Sequence, residues 1–255
     1  ARLARTEFQQ PAILVAEIAM LHALVAVHGW KPSLFAGHSL GEYTALVAAG
    51  VLRLEDAVRL VRLRGRLMQE AVPEGRGGMT ALVGADLDVE ALARFVHAFG
   101  VDVGNHNALD QAVLSGLADD VATAVEAWKA QPGPRRRGVA LRVSAPFHSR
   151  HMKPVEQPLR EALEQVPIMD ASAAVHVLSN ATGSWHAGTR PDLEHRLVQQ
   201  VTGTVRWVDN MRELLRREAR VVEVGPGRPL RGFFSSLGVE IASVTSVATI
   251  AAAGA

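Results

Sequence analysis

The six residues Gly37–Glu42, Gly-His-Ser-Leu-Gly-Glu, place a serine between two glycines. A largely apolar run at 33–36 precedes them and a helix-like run at 43–49 follows, and strand, Gly-x-Ser-x-Gly and helix form the context of a nucleophile elbow. In such an elbow the glycines allow a tight turn, and the serine lies at a helix N-terminus that favours developing negative charge. The pattern predicts that Ser39 is a nucleophile for acyl transfer, the alternative being a glycine-rich turn with a solvated serine.

A nucleophilic serine needs a base, usually a histidine, and the chain has ten histidines. His38 adjoins the serine, and neighbouring side chains on a strand point to opposite faces, so it is a poor base. His148 follows a predicted strand over 138–144, in a loop at the carboxyl end of a strand, where open α/β sheets place ligands. We therefore favour His148 as the base, with His106 and His151 as rivals.

Arg64 lies on the apolar stripe of a helix predicted over 54–72, whereas Arg59, Arg62 and Arg66 lie off that stripe. An arginine that points inward must meet an anion, because burying an unpaired charge is costly. It could form a structural pair with a buried carboxylate, or bind a substrate carboxylate through two hydrogen bonds. The pattern leaves both interpretations open.

Three further features bear on binding. Arg135, Arg136 and Arg137 form a basic run flanked by turn residues, which is either a solvated loop or a docking point for an acidic partner. The Gly-Pro-Gly turn at 225–227 lacks the lysine and the serine or threonine of a phosphate loop, so we predict no nucleotide site there. No His, Asp or Glu cluster has metal-ligand spacing, so we predict no metal.

Length and composition bound the remaining possibilities. The 255 residues, 48% hydrophobic and 21% charged, allow one large or two small domains of a globular protein. Zero cysteines exclude disulfides and a cysteine nucleophile, which fits a cytoplasmic protein, and a net charge of +1 gives no general attraction to nucleic acid. The longest apolar stretch, 11–27, is interrupted by Glu17 and His22, so we expect an internal helix starting at Pro11 and no membrane span.

Buried strands alternate with helices, so the fold class is α/β with a parallel sheet. Residues 77–144 depart from this alternation: their order β-α-β-β-α-β is that of a ferredoxin-like unit, a small subdomain inserted between 1–76 and 145–255 of the large one. The predicted helices cover 11–28, 41–49, 54–72, 88–99, 119–129, 152–165, 192–201 and 205–217. The predicted strands cover 33–37, 79–84, 101–106, 111–116, 138–144, 175–180, 220–225 and 241–247.

Several motifs in the same order make the chain resemble malonyl-CoA:acyl carrier protein transacylases and the related acyltransferases of polyketide synthases. The resemblance runs from about Phe8 to Val247, nearly the whole chain. Besides the serine motif, it is carried by Gln-Gln-Pro-Ala at 9–12, Arg-Gly-Arg-Leu-Met-Gln at 64–69, Asn-His-Asn at 105–107, Ala-Pro-Phe-His-Ser at 145–149, Gln-Gln at 199–200, Val-Arg-Trp at 205–207 and Glu-Val-Gly-Pro-Gly at 223–227.

The resemblance implies a role for each matching residue. Ser39 would carry the acyl group, His148 would be the general base and acid, and the main-chain carbonyl of Gln200 would orient that histidine. The backbone N–H of Leu40 would be one oxyanion donor, and Arg64 would pair with the free carboxylate of malonyl. The substrate pocket would also include Gln10, Met68, Asn107 and Phe147.

The same resemblance implies the reaction and its partners. Malonyl would pass from malonyl-CoA to Ser39 and then to the phosphopantetheine thiol of an acyl carrier protein, with no permanently bound cofactor and with carrier docking near Arg135–Arg137. An aromatic residue at position 147, here Phe147, resembles the malonyl-selective members of the family, whereas members that take branched units commonly carry a small residue there. The implied fold is an α/β-hydrolase-like core with a ferredoxin-like insert. The alternatives are an acyl-thioester hydrolase of the same fold, a Ser-His-Asp esterase and a non-catalytic module that binds carrier proteins.

One part of the family pattern is not found in this sequence. The family normally begins with a strand that ends in a Gly-Gln-Gly-Ser-Gln loop, whose second residue supplies the other oxyanion N–H. The sequence starts at Ala1, downstream of the place where that loop belongs. We therefore expect an N-terminal segment elsewhere that carries this strand and this donor, since losing one oxyanion donor typically costs about 10²–10³ in rate.

Overall fold

The computed structural model describes residues 3, 5–85, 87–133, 136–143, 145–218 and 220–253. The helices are α1 Thr6–His28, α2 Leu40–Ala48, α3 Leu54–Glu70, α4 Val89–His97, α5 Ala118–Lys129, α6 Lys153–Gln165, α7 Arg190–Thr202, α8 Trp207–Leu215, α9 Pro229–Ser235 and α10 Val247–Ala252, with 3-10 turns at Arg150–Met152 and Ala171–His176. The strands are β1 Gly77–Val83, β2 Asp102–Ala108, β3 Gln111–Leu117, β4 Arg137–Ala140, β5 Leu178–Ser179, β6 Ser184–Trp185, β7 Val222–Val224 and β8 Ala242–Val244.

Strands β1 to β4 form one antiparallel sheet in the order β2-β3-β1-β4. Along the chain the elements run β1-α4-β2-β3-α5-β4, the order predicted for 77–144. One apolar cluster joins the sheet to its two helices through residues such as Leu82, Leu92 and Leu114. Strand β4 ends at Ala140, before the predicted end, and Ser144 lies outside the described residues.

The other strands pair only in short pieces. Strands β7 and β8 are parallel, β5 and β6 are antiparallel, and Phe35 makes a single parallel bridge with Val177. The strand predicted over 33–37 is thus reduced to one bridge, and the strand predicted over 175–180 is reduced to β5 after a 3-10 turn. A cleft of about 940 Å³ lies between the segment at Phe35 and β7. Within the described residues, the segment at Phe35 pairs with Val177 and β7 pairs with β8, and these two segments do not pair with each other.

Helix α1 begins at Thr6, so the expectation of a start at Pro11 is wrong, and this proline lies inside the helix. The early start is fixed by close packing on α3. A Cβ added to Gly65 of α3 would lie 2.7 Å from the carbonyl oxygen of Thr6, so only a glycine lets the two helices approach this closely.

The 23 residues of α1 are long and apolar enough to cross a membrane by length and composition alone. In the structure, however, Leu14 and Ile18 belong to the main apolar core. Glu17 accepts a hydrogen bond of 2.6 Å from the hydroxyl of Thr44 in α2. Helix α1 thus supplies core residues to the large part of the molecule.

The main core lies between α1, α2, α3, α6 and α7 and contains residues such as Leu46, Leu60, Leu159 and Leu197. Burying a leucine side chain contributes about 1.5–3 kcal/mol. The buried face of α3 is the predicted stripe, and Arg64 lies on it with 1% of its surface exposed. The apolar residues on either side of Arg64 therefore hold a guanidinium inside the protein.

Candidate active site

Ser39 lies at the N-terminus of α2 with φ 53° and ψ −103°, a conformation that non-glycine residues rarely adopt. Such strain costs about 1–3 kcal/mol and is typical of functional sites. A Cβ on Gly37 would lie 2.0 Å from the carbonyl carbon of Gly41, so Gly37 is required by the turn. At Gly41 itself an added Cβ would meet nothing within 4 Å, so sterics require a glycine only at position 37.

Asn180 holds this turn from the other side. Its Oδ1 accepts a bond of 2.5 Å from the N–H of Ser39, and its Nδ2 donates to the carbonyl oxygen of Gly37 at 2.8 Å. Sequence reasoning missed this residue. The signal available was its place at the last position of the strand predicted over 175–180, because side chains at the carboxyl ends of strands commonly line sites in α/β folds.

His148 is the histidine that reaches the serine. Its Nε2 lies 2.8 Å from Ser39 Oγ, and its Nδ1 lies 2.8 Å from the main-chain oxygen of Gln200. A carbonyl oxygen only accepts, so Nδ1 carries the hydrogen and Nε2 is free to accept from the serine hydroxyl. This tautomer is the one that a general base requires.

The loop that carries His148 is fixed by the small sheet. Ser115 in β3 donates a hydrogen bond of 2.6 Å to the carbonyl oxygen of Phe147. A Cβ on Gly77 in β1 would lie 2.2 Å from Cδ of Pro146, so the loop lies directly against this strand. His148 itself has φ 58°, a second strained residue in the site. The antiparallel sheet therefore positions the histidine, while α2 positions the serine.

Burial lowers the pKa of His148 to about 3, and the nearby Arg64 charge acts in the same direction. The hydrogen bond to the Gln200 carbonyl opposes this shift. The imidazole is therefore neutral near neutral pH and can accept a proton. Burial also lowers the pKa of His38, which keeps that neighbour uncharged as well.

The guanidinium of Arg64 faces the serine and is held by neutral groups. It donates to Gln10 Oε1 at 2.7 Å, to Gln200 Oε1 at 2.8 Å and to Ser39 Oγ at 3.1 Å. Within the described residues, no carboxylate lies within 4 Å of it. Burial lowers the pKa of Arg64 from its ordinary value. This arrangement is unlike the structural ion pair that the sequence left open, because the charge faces the nucleophile without a direct anionic partner.

A cavity of about 170 Å³ lies at this point. Leu40, the first residue of α2, lines it, and its N–H lies in the first helical turn, where N–H groups have no helical carbonyl to bond. Of the other predicted pocket residues, Asn107 is not among those lining the cavity. Its Oδ1 instead bonds His38 Nε2 at 2.8 Å, so Asn107 contacts a residue that lines the cavity and not the cavity itself. The cavity is lined by Thr6, Gln9, Gln10, Ile13, His38, Ser39, Leu40, Arg64, Met68, Phe147 and His148.

The basic run is only partly exposed for docking. Arg135 lies outside the described residues. Arg136 donates to the carbonyl oxygen of Trp128 at 2.8 Å and lies over the indole ring, 5.0 Å from its centroid. Arg137 begins β4 and is exposed. In the described part of the chain, no group of three His, Asp or Glu side chains could hold a metal ion.

Comparison with known proteins gives one family throughout. The family described as the acyl transferase domain matches residues 1–228. The malonyl CoA-acyl carrier protein transacylase of Bacillus subtilis (strain 168) is 39% identical over 229 residues, which cover 88% of this chain and 70% of that protein. The polyketide biosynthesis protein ThaF of Burkholderia thailandensis is 35% identical over 256 residues, but only 21% of its length is covered.

Solved structures agree with the sequence relatives. The malonyl CoA-acyl carrier protein transacylase of Coxiella burnetii has a TM-score of 0.91 at 34% identity, covering 99% of this chain and 80% of that one. A malonyl-transacylase solved in complex with the acyl carrier protein of a type II polyketide synthase has a TM-score of 0.89 at 35% identity, covering 98% and 81%. The chain, an α/β protein, belongs to the acyl transferase domain family.

Proposed function

We propose that this chain moves a malonyl group from malonyl-CoA to the phosphopantetheine thiol of an acyl carrier protein. In the first step Ser39 Oγ attacks the thioester carbonyl while its proton passes to His148 Nε2. The tetrahedral intermediate collapses, and the CoA sulfur leaves with that proton. In the second step the carrier thiol gives its proton to His148 and attacks the ester carbonyl of the acyl-serine. The C–O bond to Ser39 then breaks, and His148 returns the proton to Ser39 Oγ. Such covalent catalysis gives ping-pong kinetics.

The observation that carries the proposal is the buried guanidinium beside the nucleophile. Arg64 lies 3.1 Å from Ser39 Oγ and is held by two neutral amide oxygens. A carboxylate on the acyl group would supply a direct anionic partner and could accept two parallel bonds from the guanidinium. An enzyme for acyl groups without a free carboxylate has no need of this charge, so Arg64 favours transfer of malonyl over hydrolysis of neutral acyl thioesters.

The remaining groups have assigned roles in the same reaction. The N–H of Leu40 would donate to the oxyanion as it forms, because it points from the first turn of α2 beside the serine. Gln10 fixes one edge of the guanidinium, and Met68 and Phe147 give the cavity its apolar wall. The aromatic ring of Phe147 favours malonyl over methylmalonyl by taking up the space that a branch would need.

The fold supports a division of the chain into two subdomains. We assign 1–76 and 145–255 to an α/β-hydrolase-like core that carries the nucleophile, and 77–144 to a ferredoxin-like insert. The sheet order β2-β3-β1-β4 with two helices supports the second assignment. The reaction needs no resident cofactor, since both acyl carriers are substrates, and we place the enzyme in the cytoplasm.

The partner follows from the second step. A malonyl-transacylase of similar structure was solved together with its acyl carrier protein. Carrier proteins present a phosphorylated arm, so cationic side chains near the cavity would favour docking. Arg137 is the exposed described member of the basic run, whereas Arg136 is held by Trp128. We therefore place carrier docking at Arg137.

The test is covalent loading followed by intact-mass measurement. Incubation with malonyl-CoA should add one malonyl group to the wild type and none to Ser39→Ala, while the exposed Ser33→Ala variant should load like the wild type. Adding a phosphopantetheine-bearing carrier protein should then move the mass to the carrier. Loading of Ser39→Ala would overturn the site assignment, and release of free malonate without carrier loading would favour the hydrolase.

A further inference from the structure

Glu42 closes the serine motif and has no part in the two-step reaction. It lies in the first turn of α2 with none of its surface exposed. Its Oε1 accepts from His186 Nε2 at 2.9 Å. Its Oε2 accepts from the main-chain N–H of Asn180 at 2.9 Å and from Gln200 Nε2 at 2.8 Å. A fully buried carboxylate is costly unless it is hydrogen-bonded, and these three bonds satisfy Glu42. The question is what the bonded cluster does for the site.

Two of these partners lead directly to the nucleophile. Asn180 accepts the N–H of Ser39, and Gln200 Nε2 donates to the main-chain oxygen of Ser39 at 3.0 Å. Both main-chain polar groups of the strained serine are thus held by residues that Glu42 binds. A shift of either amide would release a backbone conformation that is unfavourable by itself.

Gln200 also contacts the other two key side chains of the site, Arg64 and His148. Its Oε1 accepts from Arg64 Nη2 at 2.8 Å, and its main-chain oxygen holds His148 Nδ1 at 2.8 Å. The side-chain amide of Gln200 is therefore bonded between a cation and an anion, with its oxygen toward Arg64 and its nitrogen toward Glu42. The charge of Glu42 fixes this orientation, because a neutral amide at position 42 would present its own N–H groups to one of these donors.

His186 completes the cluster on the side away from the cavity. A carboxylate only accepts, so His186 Nε2 carries the hydrogen that bonds Glu42. Its Nδ1 lies 3.5 Å from Asp192 Oδ2, and Arg196 donates to the other oxygen of Asp192 at 2.6 Å. His186 is 2% exposed, so the donor that holds Glu42 is itself buried.

We propose that Glu42 and His186 form a positioning pair for acyl transfer, holding Asn180 and Gln200 so that Ser39, His148 and Arg64 stay in register. Neither residue touches the substrate cavity. The proposal rests on the proposed function for its substrate, but its central claim concerns the reactivity of Ser39, which a neutral sulfonyl fluoride probe measures without malonyl.

The main variant is Glu42→Gln, which keeps the shape and removes the charge. Its matched control is Glu17→Gln, the same exchange at a second largely buried carboxylate that also contacts α2, through Thr44. Burial raises the pKa of Glu17 to about 7, so glutamine there resembles a form already populated. For each variant, the final extent of sulfonylation gives the fraction of protein with a folded site. The rate of sulfonylation measures the reactivity of Ser39 in those sites.

We expect the probe to sulfonylate Ser39 in Glu42→Gln at least about tenfold more slowly than in the wild type. The kcat for malonyl transfer per folded site should fall by a similar factor. The KM for malonyl-CoA should rise as well, because Gln200 also holds Arg64, the residue proposed to bind the malonyl carboxylate. Glu17→Gln should match the wild type in both rates.

Two variants of His186 separate positioning from folding. His186→Gln keeps a donor for Glu42 and should retain most of the rate, whereas His186→Leu removes the donor and should resemble Glu42→Gln. Normal per-site rates in Glu42→Gln would overturn the proposal, as would equal losses in both His186 variants. If the probe rapidly sulfonylated Ser39 in the wild type but malonyl did not load, the proposed function would be contradicted. The sulfonylation rates of the variants would then still decide the positioning pair.

Discussion

Arg64 and the basic run of the small sheet contain the same side chain in opposite settings. Arg64 is 1% exposed, and its planar group is fixed by Gln10, Gln200 and Ser39. Arg137 is exposed at the start of an edge strand, and Arg136 lies over an indole ring. Water and salt screen an exposed charge, whereas a buried charge is screened less and interacts more strongly with a group that enters its cavity.

This difference separates two kinds of recognition. Under the proposed function, the buried arginine would distinguish acyl groups by a single charge, because an acyl group without a carboxylate leaves it without a direct anionic partner. The exposed arginines can only attract, with an effect that falls as salt rises. Under the proposed function, substrate choice would therefore fall to Arg64 and carrier approach to Arg137, and four experiments measure the two sides in order of expected effect.

Removing the buried charge should have the largest effect. Arg64→Ala should lower kcat/KM for malonyl-CoA by about 10²-fold, since a charge-assisted pair in a buried site contributes about 1.5–3 kcal/mol or more. Activity with acetyl-CoA should be spared or raised. The measurement is the ratio of the two kcat/KM values, because both substrates share any disturbance of Ser39. An unchanged ratio would remove Arg64 from substrate choice.

The pH dependence of Ser39 reactivity tests the burial of the same region. Burial lowers the pKa of His148 to about 3, so the neutral base persists as pH falls. Sulfonylation by a neutral probe should therefore stay nearly constant from pH 7 to pH 5. An imidazole with the ordinary pKa near 6.5 would lose about thirtyfold of its neutral form by pH 5. Measuring Glu17→Gln in parallel removes a second buried group that titrates near pH 7.

Phe147 should set a smaller preference. Phe147→Ser would open space beside His148, and the ratio of kcat/KM for methylmalonyl-CoA to that for malonyl-CoA should rise by about tenfold, since one methyl group is worth about 1–3 kcal/mol. Phe147→Leu keeps much of the bulk and is the control. Equal kcat/KM for the two esters in the wild type would already remove the claim.

The exposed side of the comparison should give the weakest effect. Arg137→Glu should raise KM for the carrier protein about threefold at low salt, with a smaller effect at high salt and no change in loading from malonyl-CoA. Arg59→Glu is the control, because Arg59 is also exposed, with 77% of its side chain accessible, and lies on α3. A loss of the loading step in Arg137→Glu would show that the residue acts on the site itself.

Much of the site could be foreseen because its signals are local. The Gly-x-Ser-x-Gly pattern requires a tight turn, and Gly37 meets Gly41 in the structure as that turn demands. Arg64 stood out because one charge interrupts an apolar helical period, and it is buried on that face. The element order of 77–144 followed from alternating short patterns, and the structure reproduces it.

Other parts escaped because they depend on contacts between distant segments. Asn180 and His186 have no local pattern of their own, yet they meet Ser39 and Glu42 across 138 or more residues. Asn107 was placed in the cavity by its motif, but in the structure it bonds His38 instead. The early start of α1 depends on its close approach to Gly65, which no pattern in the helix itself records.

The sequence by itself determined which residues have reactive chemistry: a serine in a forced turn, an arginine on an apolar face and a histidine after a strand. These features can be recognised from nearby residues, because turn sterics and the helical period of apolar residues both involve residues that are close together in the sequence. Only the tertiary structure decided which histidine meets the serine, which amides hold the guanidinium and which carboxylate anchors them. Those choices are hydrogen bonds a few ångströms long between segments far apart in the chain, and only the packed fold brings such segments together.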